Sequence, residues 1–348
     1  RALVLAEVRI RLLSPAIVTT RRTQSGFVRP ADHIPGSMLR GAILSALYRE
    51  GKLTKEDLRR EAERPTLLAS PAYPLYRGAR SLPATPYVLV CDECNGFEYI
   101  PPTEERPVKE YHECKGLPEA PQGVPGSGEP RHDRSLWLLK TLHGNLLASV
   151  NGKPVRVRTE TYRATSVAID KRRRAAARGL LFDYEAIAEG TEFWAWVSVP
   201  DGIELDGLEV AVGRGQSRGF GLAKLSFWSE LPREGGIQTD KWYVAISPVT
   251  PVRKLDWEGL GFSVVLDRVE GRTYTLQTGW DVLQGRLRPF VEVARSGSLV
   301  VARLSDTSRS HFLRVGIPVK VDGFSLTGLN ALIPLSEYES ILEVKGWS

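Results

Sequence analysis

Four side chains able to hold a metal lie close together: Cys91 and Cys94 in a Cys-x2-Cys pair, then His112 and Cys114 in His-x-Cys. Three thiolates and one imidazole form the ligand set of a closed tetrahedral zinc site, and the Cys-x2-Cys spacing lets nearby backbone amides donate to metal-bound sulfur. The chain has three cysteines and this set uses all of them. An odd count argues against a disulfide framework, and a catalytic thiol has no need of two others beside it. With four protein ligands no position is open for a reacting water, so the zinc would be structural, a staple for a segment that cannot fold alone. Two alternatives stay open: reduced thiols without metal, and a site completed by His132 in place of His112.

A second chemistry is cationic, and it is uneven. The net charge is +6, and residues 1–49 hold eight arginines against Glu7 and Asp32, an excess equal to that of the whole chain. Such asymmetry points to a polyanion. Three stretches carry it. In "TTRRTQSGFVRPADHIPGSMLRG", Arg21, Arg22 and Arg29 precede a helix start where the amides at Gly36 and Ser37 could receive a phosphate, with Arg40 in the first turn. "KRRRAAARG" supplies Lys171, Arg172, Arg173, Arg174 and Arg178. In "GRGQSRGFG", glycines allow close backbone approach while Arg214, Gln216, Ser217 and Arg218 supply donors. Singly, each has a plainer reading as a cap, a solvated face or a turn. No GxxxxGK[ST] is present, and "GRGQSRG" precedes a strand rather than a helix, so no mononucleotide or dinucleotide fingerprint applies.

The elements that must position these residues follow from periodicity. "LVLAEVRIRLLSPAIV" alternates as a half-buried strand that loses its regularity at Pro15, and "IPGSMLRGAILSALYREG" places Met38, Leu39, Ile43, Leu44 and Leu47 on one helical face, with Ser37 as N-cap and Gly51 as terminator. Residues 71–130 are rich in Pro and Gly, without periodicity, and contain every cysteine, the mark of an insertion held by something other than an apolar core. Alternation returns in "KPVRVRTETYRATSVAID" and "TEFWAWVSVP", and again beyond Ser229 in "WYVAISPV", "FSVVLDRVE" and "RTYTLQTGW". No solenoid repeat is evident. Abundant Glu and a single Met suit a thermophile's charged surface. No apolar run is long enough for a membrane span and no secretory signal is seen, so no membrane partner and a cytoplasmic location are expected.

Taken in order, "IPGSMLRGAI", "SVAIDKRRRAAARGLLFDYEAIAEGTEF" and "GRGQSRGFGLAKL" resemble the RAMP superfamily of CRISPR-associated proteins, over residues 1–60 and 155–228. Within it the chain is most similar to the Csm-type backbone subunit of type III effector complexes, while "YPLYRGARSLPATPYVL" and "GLLFDYEAI" also resemble the larger Csx-type subunit of type III-D. The resemblance implies a ferredoxin-like (RRM-like) βαββαβ core at 1–60 and 155–228; with the cysteine spacing and the strand-like runs, the expected fold is α+β, with a zinc-stapled, lid-like insertion at 61–154 and a mostly β C-terminal domain at 229–348. It implies single-stranded guide RNA, other effector subunits and copies of the chain in a filament as partners, in antiviral defence. It also implies that the glycine-rich loop packs beside the first helix, bringing Arg214 and Arg218 to Arg40. Members that cut RNA use an aspartate in an Arg-Asp context before the Pro-Gly-Ser. Here Arg29 is followed by Pro30, so no catalytic residue is assigned; Asp32 and His33 are the candidates for an endoribonuclease, with His33 otherwise an RNA contact.

Overall fold

The computed structural model describes residues 2–18, 31–92, 94–102, 139–170, 175–231, 242–281 and 284–347, with backbone only for 164–170 and 175–184. In β1 (Leu3–Leu12), Val8, Ile10 and Leu12 are buried on one face and Arg9 and Arg11 stand on the other, the period of two that a strand imposes. Helix α1 (Gly36–Arg49) lays Leu39, Ile43 and Leu47 on the buried face. It ends in a Schellman turn, where Gly51, at φ +72°, donates to the Tyr48 carbonyl and Lys52 to that of Leu47. Ser37 is not its N-cap: Pro35 holds that position without a side-chain bond, and Ser37 is already helical.

Helix α2 (Lys55–Glu63), opened by a Thr54–Asp57 capping box, leads to β2 (Leu68–Ala69), β3 (Tyr73–Tyr76) and β4 (Ala79–Arg80). The short strands β5 (Leu82–Pro83), β6 (Val88–Cys91), β7 (Phe97–Tyr99), β8 (Leu139–Thr141), β9 (Leu146–Val150) and β10 (Lys153–Arg156) follow. A long hairpin, β11 (Thr161–Asp170) and β12 (Ala175–Ile187), precedes β13 (Glu192–Pro200), β14 (Glu209–Ala211) and β15 (Leu222–Glu230). The first sheet is antiparallel in the order β14-β15-β1-β13-β3-β4, with β2 also on β13. Residues 68–80 are thus core strand, although their Pro-rich composition places them in the insertion. Residues 201–221, where an RRM-like core has its second helix, hold β14 and a single 3-10 turn; their glycines and aspartates disfavour a helix.

The C-terminal part comprises β16 (Trp242–Ala245), β17 (Lys254–Trp257), β18 (Phe262–Glu270), β19 (Thr273–Gln277), β20 (Trp280–Asp281), β21 (Arg286–Leu287), β22 (Phe290–Ala294), β23 (Leu299–Leu304), β24 (Val319–Val321), β25 (Phe324–Leu326), β26 (Leu332–Pro334) and α3 (Leu335–Ile341). Its main sheet has the order β17-β18-β23-β16-β26. This sheet repeats the first in register. Arg9, Ile10 and Arg11 face Trp194, Phe193 and Glu192, as Trp242, Tyr243 and Val244 face Val301, Val300 and Leu299. Gly190 donates to Leu12 at 2.8 Å, as Gly297 does to Ala245 at 2.7 Å, and the reciprocal pair Ala16–Ile187 recurs as Val249–Ala294. The Ser14 hydroxyl accepts from Leu222 at 3.0 Å and the Ser247 hydroxyl from Ala331 at 2.8 Å. The Pro15 carbonyl accepts from Gly221 and that of Pro248 from Asn330, both donors at positive φ. The chain therefore holds two units built on one plan, a repeat whose sequence trace is little more than the shared Ser-Pro.

The units share a core. Trp194 and Trp196, on the face of the first sheet away from α1, pack with Tyr243, Val244, Trp257 and Phe312 of the second unit and with Val88, Leu142 and Leu147 of the insertion. The described part of the insertion is therefore held by apolar packing, contrary to the composition-based expectation. The Tyr73 hydroxyl donates to the Ile246 carbonyl, and the Trp257 indole to that of Pro65 at 3.0 Å.

Buried His143 fastens the insertion to the second unit. Nδ1 lies 3.2 Å from the Ala84 carbonyl, and Nε2 accepts from the Arg272 amide at 3.3 Å, which fixes a neutral ring with its proton on Nδ1. Burial, opposed by the Ala84 bond and aided by the charges of Arg295 and Arg272, lowers its pKa from 6.5 to about 4. The unfolded chain takes up this proton at the higher value, so acidification through that window removes about 1.4 kcal/mol of stability per pH unit, and the loss stops near the folded pKa. Denaturant titrations over this range should show the slope, and His143→Gln should remove the histidine's share of it.

Candidate nucleic-acid interface

Residues 213–221 form a tight turn around a 3-10 segment, Gln216–Arg218, flanked by Gly215 and Gly219 in the left-handed region. The turn docks on the end of β1: Gly221 donates to Pro15 at 2.8 Å and Arg214 to Ile17 at 2.9 Å. Two glycines are obligatory. A Cβ on Gly221 would stand 1.9 Å from the Val212 carbonyl oxygen, and one on Gly213 2.3 Å from that of Ile17. The rigid result displays Arg214, Gln216, Ser217 and Arg218 to solvent. Gln216 braces the turn through bonds to Ala211 and Gly213, and the Arg218 guanidinium lies over Phe220 at 5.8 Å.

Arg40 does not join them. Its guanidinium donates to the Leu67 carbonyl at 2.7 Å and to the Glu61 carbonyl and carboxylate at 2.8 and 3.1 Å, clamping α2 and β2 to α1. Burial lowers its pKa while Glu61 holds the charge. Nor does the start of α1 offer room for phosphate: a Cβ on Gly36 would meet the Ala69 oxygen at 2.4 Å, and Gly328 of the second unit packs against Gly36 and the Ser37 amide. The Pro-Gly-Ser turn is an interlock between the two units.

A polar cleft of about 500 Å³ lies where the β1–α1 connection meets the base of the long hairpin, lined by Asp32, Asn145, Arg156, Arg158, Arg163 and Glu185 among others. Reciprocal bonds between Ile34 and Ala72 fix the connection at one edge. There His33 Nδ1 sits 2.7 Å from Asp32 Oδ1, its ring centre 5.4 Å from that of Tyr73. Burial favours a protonated Asp32, but the hydrogen bond and charge of His33, with Arg295 nearby, outweigh it and hold the carboxyl below its usual range. Arg156, Arg158 and Arg163 are exposed, and among the described residues neither Arg156 nor Arg158 is in an ion pair. The cleft thus gathers three guanidinium groups beside Asp32, the carboxylate that hydrogen-bonds His33. Its arginines were missed from the sequence, although the alternation of "VRVR" puts Arg156 and Arg158 on one polar face; Arg163 lies on the next strand, β11.

Arg21, Arg22, Arg29, Lys171, Arg172, Arg173 and Arg174 lie outside the described residues, as do His112 and Cys114. The KRRR run connects β11 to β12, and Arg178 lies on the backbone of β12. Buried Cys91 ends β6 and Cys94 sits in the turn to β7, where the Gly96 amide donates to its sulfur at 3.4 Å and Asn95 takes φ +54°. A sulfur receiving a backbone amide at the tip of a Cys-x2-Cys hairpin fits a metal thiolate. No group of three metal-binding side chains occurs among the described residues.

The two kinds of glycine in the turn should separate experimentally. Gly221→Ala drives a Cβ into backbone and should cost about 3 kcal/mol or more, whereas Gly219→Ala meets open space and only the strain of positive φ, about 1 kcal/mol. Denaturant unfolding of both variants checks the order.

No protein-family model and no curated protein matches the chain. Among solved structures it is similar to a chain of the type III-B Cmr-beta complex bound to cognate target RNA and AMPPnP, at 12% identity and TM-score 0.44 over 97% of this chain and 93% of that one. It is also similar to oligomeric Cmr4 from Pyrococcus furiosus, at 11% identity and TM-score 0.27 over 66% and 100% of the two chains. A chain of a type IV-B CRISPR complex matches at 12% identity and TM-score 0.30, over 68% and 95%. No described helix is long and apolar enough to cross a membrane.

Proposed function

We propose that this chain is a RAMP-type subunit of a type III CRISPR effector complex that holds single-stranded guide RNA by its phosphates without reading its sequence. The observation that carries the reading is the turn at 213–221, in which close-packed glycines present two arginines on a rigid backbone. The strand order of both sheets, with the first strand central between the third and the last, supports an RRM-like ancestry for each unit. The cleft arginines Arg156, Arg158 and Arg163 extend the cationic path toward the long hairpin. Contacts to phosphate alone position RNA without specifying bases. Guide RNA, neighbouring effector subunits and further copies of the chain along the RNA are the partners of this reading, in a Csm-type or Csx-type position.

A second reading, an endoribonuclease, is favoured by one observation: the Asp32–His33 pair stands at the rim of the arginine cleft. Asp32 would orient the imidazole, and His33 would take the proton from a ribose hydroxyl as general base. His33→Ala should then abolish cleavage and leave RNA affinity within about twofold, since the pair positions a proton rather than a phosphate. Cleavage that survives both His33→Ala and Asp32→Asn rules this site out.

Zinc belongs to the same proposal, held by Cys91, Cys94, His112 and Cys114 and stapling the insertion without chemical work. Purified protein should contain about one zinc per chain, and Cys91→Ser should lose it while the two-unit core stays folded. For RNA, binding should weaken with salt at a log-log slope of about −3 for roughly four phosphates, and Arg214→Ala/Arg218→Ala should shrink it by about 1 to 2. A flat salt response, or no affinity for single strands, defeats the RNA reading.

A further inference from the structure

The face of the first sheet away from α1 is covered by the second unit over β13 and β3, but among the described residues its β1–β15 margin is open. Across this face side chains alternate as cation and aromatic ring. The Arg80 guanidinium lies 5.3 Å from the ring centre of Trp194, Trp194 faces Arg9 in register, and the Arg9 guanidinium lies 4.3 Å from the ring centre of Trp228. Buried Glu7, 3.6 Å from Arg9 and 3.5 Å from Arg80, balances the two charges. The row ends in solvent. Arg9 retains 17% of its side-chain exposure whereas Trp228 is 62% exposed, so the cation lies beneath the indole and the other ring face is uncovered.

A β-bulge creates this arrangement. The β1–β15 register steps from Glu7–Ser229 to Val8–Phe227, which leaves Trp228 as the extra residue. Bulges re-aim side chains in this way. On the same face Ser226 and Lys224 are exposed, and Lys224 pairs in register with Arg11, whose side chain is 64% exposed beside Glu192 at 3.6 Å. Exposed Phe227 belongs to the opposite face with its register partner Val8, so Trp228 stands among polar neighbours rather than in an apolar patch. A single uncovered ring flanked by cations suits a nucleobase, since every base has a face to stack and a phosphate beside it.

We propose that Trp228 is a stacking platform for one base of bound single-stranded RNA, the base continuing the Arg80–Trp194–Arg9–Trp228 row, with Arg11 and Lys224 at the adjoining phosphates. The proposal rests on the RNA-binding reading above and adds a contact that the sequence motifs do not contain. RRM sheets capture bases by the same physical means, aromatic rings on the open face.

The test compares wild type, Trp228→Ala and Trp228→Phe for binding to oligoadenylate and to an abasic oligomer of equal length, each across a salt series. Trp228 is exposed, so both variants should fold, which thermal unfolding checks. Trp228→Ala should weaken oligoadenylate binding about tenfold with the salt slope unchanged, Trp228→Phe should recover most of it, and the abasic oligomer should not distinguish the three. Oligoadenylate should quench tryptophan emission in wild type more than in Trp228→Phe. Equal affinity of Trp228→Ala and wild type overturns the stacking site while leaving the RNA reading intact; equal affinity together with a changed oligomeric state overturns it in favour of a protein contact. Failure of wild type to bind either oligomer overturns both.

Discussion

Burying Trp194 and Trp196 is the constraint on which the rest depends. Both lie on the face of β13 away from α1, where an open sheet would leave two indoles in water. Each is worth several kcal/mol when buried, and the second unit and the insertion supply the cover. The consequence reaches function. Over β13 this face of the sheet is closed, so under the proposed function RNA would be left to the glycine turn, the hairpin-base cleft and the margin at β15.

The same constraint explains why motif residues serve structure. Gly36 has no room for a side chain because the Ala69 and Ser70 backbone, with Gly328 beyond it, closes on it, and Arg40 is spent on Glu61 and Leu67. A Pro-Gly-Ser helix start followed by arginine reads as an anion site until the second unit is placed against it. The glycine turn keeps its arginines outside because its own glycines, not its arginines, make the packing contacts.

Legibility followed the range of the interactions. Strands β1, β13, β18 and β19 and helix α1 could be read because periodicity is local, as could the exposure of residues 214–218. The two-residue strand Leu68–Ala69 is too short to show a period, and the fate of Arg40 depends on a carboxylate 21 residues away on another element. The two-unit plan escaped notice because it is kept by backbone bonds: Gly221 became Asn330 and Leu222 became Ala331 while donor and acceptor stayed in place.

The margin at β15 also bears on how copies can associate. A strand edge with open amides is a template for another strand. Here the outward amide of Leu225 is taken by Leu208 at 2.9 Å and that of Phe227 by the Asp206 carboxylate at 2.8 Å, just before the bulge breaks the ladder's rhythm. These bonds occupy outward amides of β15 beyond the stretch that pairs with β14, the outermost strand of the sheet. Under the proposed function, copies set side by side would meet along β15 through side chains or a shared polymer rather than by pairing strands at a step of about 4.8 Å.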